Sequence, residues 1–190
     1  NGAILPLVGG ELAKAAFQNG QEKYAVEILD RLDKIMDLNN RKLPGCVSWD
    51  GTEQTEAVPN EWGQAAFVSA LVEGLAGVID KGIKFNAVEI SPRWYFAGVN
   101  ETSVKVGYGN DGEQVIYQYN FNPKTKKLIL TTDGKFENYM ARLPFPEGTK
   151  SASARVNGKS VSVKTDDVNG SKYAVFQGKG SKNNIEIQYR

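Results

Sequence analysis

Near Asn86 the apolar residues stop recurring every three or four positions and begin recurring every second one, which divides the chain into a helical part and a β part. Before the switch, Tyr24, Ala25, Ile28, Leu29, Leu32, Ile35 and Met36 sit at helical spacing among Glu22, Lys23, Glu27, Asp30 and Asp33. They predict a helix over 21–38 with one wet face. A shorter helix over 11–17 is expected ahead of it, closed by Asn19-Gly20, a pair suited to the left-handed conformation of a helix end. After the switch come Ser103-Val104-Lys105-Val106, Val115-Ile116-Tyr117-Gln118-Tyr119 and Leu128-Ile129-Leu130-Thr131, each alternating as a half-buried strand does.

Further strands are expected at 137–143, 152–156, 161–165, 173–176 and 185–189. Turn signals lie between the runs at Asn110-Asp111-Gly112, Asn122-Pro123, Asp133-Gly134, Asn157-Gly158 and Asn169-Gly170, and Asn-Gly or Asp-Gly between strands favours hairpins. Eight to ten short strands so spaced indicate an antiparallel β-sandwich. The expected fold class is therefore α+β, an N-terminal helical hairpin over 1–85 followed by an antiparallel β-sandwich over 86–190.

One helical segment demands more than this hairpin supplies. Over 61–80, the residues Trp62, Ala65, Ala66, Phe67, Val68, Leu71, Val72, Leu75, Val78 and Ile79 spread round most of a helix circumference. Such a helix must be covered on nearly all sides, whereas the 21–38 helix can cover one. A missing helical neighbourhood is implied, and with it self-association of the chain on its own. Asn1 also stands where an initiator Met would, so a piece of something longer is expected.

Composition narrows the chemistry. The 23 Lys and Arg nearly cancel the 22 Asp and Glu, so there is no broad basic field for nucleic acid or anionic lipid. No run reaches the ~18 apolar residues of a membrane helix. No histidine occurs, which excludes Ser-His-Asp, Cys-His and HExxH chemistry within this chain and removes the commonest metal ligand. No metal and no cofactor are expected. Cys46, the single cysteine, has no internal disulfide partner.

Between the helices, 39–60 is a long loop, a kind of segment that is disproportionately functional. Within it Ser48-Trp49-Asp50-Gly51-Thr52-Glu53-Gln54-Thr55-Glu56 sets an indole among three carboxylates, and Glu61-Trp62 follows as the next helix begins. Indole faces stack on the C–H faces of pyranose rings, and carboxylates bond hydroxyls or act as acid and base in glycoside hydrolysis. The candidate catalytic residues are Asp50 and Glu53, with Trp49, Glu56 and Trp62 as substrate-binding residues. Gly51 would leave space for a ligand beside Asp50. The competing reading is structural: Asp50-Gly51 makes a turn, Glu53 and Glu56 are solvated, and Trp49 and Trp62 pack the loop onto the helices. A second cluster, Ser91-Pro92-Arg93-Trp94-Tyr95, reads as a seam between the helical and β parts.

The run Pro59-Asn60-Glu61-Trp62-Gly63-Gln64-Ala65-Ala66-Phe67, continuing to Glu73-Gly74-Leu75-Ala76-Gly77, resembles the last inner helix of the six-hairpin, or (α/α)6-barrel, glycosidases. Ser91-Pro92-Arg93-Trp94 resembles the exit from that barrel. Val156-Asn157-Gly158-Lys159 and Asn184-Ile185-Glu186-Ile187-Gln188-Tyr189 are similar to the β-sandwich appended to such enzymes, the α-rhamnosidase-like group included. Where that group carries a Trp-Glu pair, this chain has Trp49-Asp50. The resemblance implies a C-terminal fragment of a secreted or periplasmic glycoside hydrolase acting on complex polysaccharide, with the 49–56 loop at the sugar-facing mouth. It also implies that the remainder of the barrel supplies the proton donor, leaving the isolated chain inactive. Hydrolysis by an acid and a base would invert if the carboxyls stand roughly 6.5–9.5 Å apart. The alternative is a non-catalytic carbohydrate-binding or structural β-sandwich module. A binding module should expose aromatics on one strand face, such as Tyr117 and Tyr119.

Overall fold

The computed structural model describes residues 3–52, 60–109 and 112–190. They form two compact units, Asn1–Leu75 and Ala76–Arg190.

The first unit holds helices α1 (Pro6–Gln18), α2 (Glu22–Leu38) and α3 (Asn60–Ser69), the last continued by a π-helical turn, Ala70–Leu75. Pro6 starts α1 at the position where its missing N–H costs nothing. At the other end the Asn19 amide bonds Ala15 O and Ala16 O, Gln21 N–H bonds Ala16 O, and Gly20 takes φ +74°, the expected left-handed close. The helix begins earlier than the expected 11, because Gly9 and Gly10 lie inside it. Gly10 is there for packing: a Cβ on it would stand 2.6 Å from the backbone carbon of Ala66 in α3.

The contacts between α1 and α3 advance in the same direction along both helices. Pro6 lies against Gly63, Gly10 against Ala66 and Phe17 over Gly74. Between these, Lys14 Nζ donates to Ser69 Oγ at 3.0 Å and pairs with Glu73 at 3.4 Å. The two helices therefore run parallel, and α2 is the antiparallel return leg, with Leu32 against Gly9. Glycines on both sides of the seam, Gly10 on α1 and Gly63 and Gly74 on the other side, let the two helices approach closely. By the same geometry, residues 39–52 after α2 reach the end of the unit where α1 and α3 both begin.

The second unit contains β1 (Val78–Asp80), β2 (Ala87–Ile90), β3 (Glu101–Gly107), β4 (Gln114–Asn122), β5 (Lys127–Gly134) and β6 (Asn138–Pro144). It continues with β7 (Ala152–Val156), β8 (Lys159–Val161), β9 (Lys164–Val168), β10 (Ser171–Lys179) and β11 (Asn183–Tyr189). One sheet has the order β1-β2-β6-β10-β9 and the other β3-β4-β5-β11-β7-β8. Pairing is antiparallel throughout except between β2 and β6. The inward alternate residues form the core of a sandwich: Tyr117, Leu130, Ile185 and Ile187 from one sheet, Ala141, Leu143, Ala174 and Phe176 from the other. Phe145 meets Tyr189 edge-on across it, with ring centroids 5.6 Å apart.

The sequence-based expectations need three corrections here. The helix expected over 61–80 ends at Leu75, and Val78–Asp80 is strand β1. Gly77 enforces the break with φ +66°, since a Cβ there would lie 1.9 Å from Ser91 O, and its own carbonyl accepts from Ser91 N–H. The strand expected over 161–165 is two short strands, β8 and β9, that belong to different sheets. Asp133-Gly134 closes β5 rather than turning a hairpin, whereas Asn157-Gly158 and Asn169-Gly170 turn hairpins with both residues at positive φ.

Candidate functional site

The loop after α2 is tied down before it reaches the candidate residues. Val47 and Ile4 exchange backbone hydrogen bonds of 2.8 and 2.9 Å, which pins the loop beside the start of α1. Leu43 and Val47 are fully buried and Cys46 is buried with them, so this stretch is core rather than reactive surface. Asn39 adds a clamp, its side-chain amide donating to Ile35 O at 2.7 Å and Gly51 O at 2.8 Å. The last turn of α2 and the tip of the loop are thus held as one piece.

At the tip, Trp49 is 86% exposed. Asp50 beside it is exposed and closes a turn: Thr52 donates to Asp50 Oδ1 from its backbone N–H at 3.0 Å and from its hydroxyl at 2.8 Å. These hydrogen bonds, the backbone one first, hold the carboxyl below its ordinary range, so Asp50 is a carboxylate at neutral pH. Gly51 does not leave room for a ligand. It is buried at φ +86°, and a Cβ there would stand 2.9 Å from Leu38 Cδ1, so its bareness accommodates α2.

Trp62 lies in the first turn of α3 and is 55% exposed, with Glu61 exposed next to it. The helix N-terminus favours negative charge at that place. Trp49, Asp50, Glu61 and Trp62 thus share one end of the helical unit and face solvent. Glu53 and Glu56 lie outside the described residues, so neither is placed. Among the described residues no group of three or more Asp, Glu, His or Cys could hold a metal ion. Sequence reasoning missed Asn39 and Thr52, the residues that give the loop its shape. The signal for Thr52 was present in Asp50-Gly51-Thr52, an Asx-turn pattern.

The 91–95 cluster belongs to the β unit. Arg93 is buried at 1% exposure, with Nη1 donating to Ser91 O at 3.1 Å, and Ser91 Oγ donates to Arg142 O at 2.6 Å. Trp94 Nε1–H donates to the Tyr117 hydroxyl at 2.8 Å, which in turn donates to Ala76 O at 2.7 Å. Burial pushes the Tyr117 hydroxyl above the ordinary phenol range, which keeps it a neutral donor. Tyr117 and Tyr119 are 0% and 3% exposed, so the shared face that an aromatic binding platform would need is turned inward.

No protein-family model matches the chain, and no curated protein matches it. Among solved structures, the alpha-L-rhamnosidase from Dictyoglumus thermophilum matches 97% of this chain and 21% of its own, with a TM-score of 0.65 at 10% identity. Over nearly its whole length, this chain has the fold of part of that rhamnosidase. A looser match is a GH127 beta-L-arabinofuranosidase from Geobacillus stearothermophilus T6, with TM-score 0.40 and 13% identity over 67% of this chain and 18% of that one. The chain spans about a fifth of the length of each.

Proposed function

We propose that this chain is the carboxyl-terminal part of a glycoside hydrolase that acts on complex polysaccharide outside the cytoplasm, secreted or periplasmic. In this reading the helical unit is the last part of an (α/α)6 barrel, and the sandwich is its support. The observation that carries the proposal is the placement of an exposed Trp49, the carboxylate of Asp50 and an exposed Trp62 at one end of two parallel helices. That placement occurs in a fold shared with part of a rhamnosidase. Trp49 and Trp62 stack on sugar rings, Asp50 or Glu53 engages hydroxyls or water, and Glu56 adds a further acceptor. With Oδ1 occupied by Thr52, a ligand would meet Asp50 through Oδ2. A second carboxyl, the proton donor, comes from the rest of the barrel. Val8 and Leu12 on α1 and Val68 on α3 are 55%, 45% and 55% exposed, which supports further helices packing there. The buried Tyr117 and Tyr119 weigh against a free-standing aromatic binding module.

The test is a glycosidase screen, on aryl glycosides and plant polysaccharides, of the intact gene product beside the 190-residue chain. Hydrolysis by the intact product alone is the expected result. No turnover by the intact product would overturn the enzyme reading. Turnover by the isolated chain, abolished by Asp50→Asn or Glu53→Gln, would overturn the divided site.

A further inference from the structure

The six-stranded sheet turns one face into the core and the other to solvent, and the outward residues of its later strands are not neutral. In one row Lys127 pairs across to Gln188 and on to Ser153, and in the next Glu186 pairs to Arg155 and on to Ser160. Because side chains alternate, these residues share the outward face, while Ala154, Ile185 and Ile187 between them are buried. With Arg190 they line a hollow of about 440 Å³, within the ~300–1,000 Å³ of small-molecule sites.

Three cations, Lys127, Arg155 and Arg190, face one carboxylate there. Glu186 is committed to Lys127, its Oε2 2.7 Å from Nζ, and that bond first, with the field of Arg155 behind it, holds its carboxyl below the ordinary range. Lys127 is neutralised by this pair. The two guanidinium groups keep their charge, beside the hydroxyls of Ser153 and Ser160. In a chain whose 23 basic and 22 acidic residues nearly cancel, this excess is local. None of the residues lining the hollow is aromatic, so it lacks the stacking face on which a neutral sugar would rely.

We infer that this hollow binds a carboxylate-bearing sugar residue of an acidic polysaccharide, an inference that rests on the glycosidase reading and adds a substrate class to it. A guanidinium takes a planar carboxylate through two parallel hydrogen bonds, which a point charge does not match. Arg155 fits that role, directly across from Glu186 in its row and next to Ser160. Ser153 and Ser160 take ring hydroxyls, and Arg190 adds charge at the rim.

The experiment is calorimetric titration of the 190-residue chain at low salt with three probes: a trigalacturonate, a neutral trisaccharide and inorganic phosphate. The expected result is binding of the trigalacturonate alone, weakened about tenfold or more by Arg155→Gln, as loss of a charge-assisted hydrogen bond predicts. Arg155 is exposed, so the variant should melt with the wild type, and Ser160→Ala provides a second variant with a smaller loss. Equal binding of the neutral trisaccharide, indifferent to Arg155→Gln, would overturn the charge argument and leave the carbohydrate reading standing. Phosphate bound as tightly as trigalacturonate would reduce the hollow to a general anion site and overturn the inference. Binding of none of the three would overturn it also, while hydrolysis by the intact gene product would still decide the glycosidase reading separately.

Discussion

Two adjacent glycines in α1 give opposite expectations for the same substitution, and the difference follows from what each faces. A Cβ on Gly9 would meet Leu32 Cδ2 at 3.1 Å, the far end of a side chain that can yield a few tenths of an ångström. A Cβ on Gly10 would meet the backbone carbon of Ala66 at 2.6 Å, its Cβ at 2.7 Å and the Phe67 nitrogen at 2.8 Å, none of which can rotate away. Restoring ordinary contact requires α1 and α3 to separate by about 0.8 Å, from 2.6 to 3.4 Å. Either substitution gains up to about 1 kcal/mol in helix propensity. Overpacking a fixed seam costs about 2–3 kcal/mol, toward the upper part of the usual range. Gly10→Ala should therefore lose about 1–2 kcal/mol, and Gly9→Ala should be neutral or gain up to about 1. For a unit of this size, ~4–8 °C of melting temperature accompanies each kcal/mol. Thermal unfolding followed by circular dichroism would place the Gly10→Ala transition below that of Gly9→Ala by about 4–24 °C. A Gly10→Ala protein as stable as the wild type would refute the close parallel packing of α1 on α3.

Tyr117→Phe should cost about 1–3 kcal/mol, because it leaves the Trp94 indole N–H and Ala76 O without their shared partner; an unchanged melt of the sandwich would contradict this. By NMR titration Asp50 should ionise below the ~3.9 of a free Asp, with Thr52→Val raising its midpoint. Since the folded value is the lower one, the turn's contribution is present above the unfolded value and is lost as pH falls through the folded one. Light scattering at micromolar concentration should show self-association through exposed Val8, Leu12, Trp62 and Val68, reduced in Val8→Lys; a clean monomer would count against the uncovered helical face.

Helix α2 was legible because its apolar stripe is narrow and regular, and β3 to β7 because their apolar residues alternate with period two. The start of α1 was not, since the expected helix began at 11, past Gly9 and Gly10, whose place inside it is explained by the helices packed against them. The run through Val78 and Ile79 read as helix because a buried strand and a buried helix end look alike over a few apolar residues. What ended the helix is a tertiary fact, the approach of Ser91 O to Gly77. At the candidate site, the sequence supplied the residue types and the exposed tip. It did not supply the role of Gly51, whose missing side chain serves Leu38, nor the Asn39 clamp, both of which depend on α2 folding back against the loop.

The sugar-facing role of the loop is tested most directly by steady-state kinetics of the intact gene product carrying Trp49→Ala, Asp50→Asn and Glu53→Gln in turn. Loss of a stacking indole should raise KM for Trp49→Ala with kcat largely kept. Asp50→Asn should lower kcat/KM at least about tenfold if the carboxylate binds hydroxyls, and lower kcat about a hundredfold or more if it is the base. Wild-type values for all three variants would contradict the account and leave Asp50 as the turn-former that its bonds to Thr52 already make it.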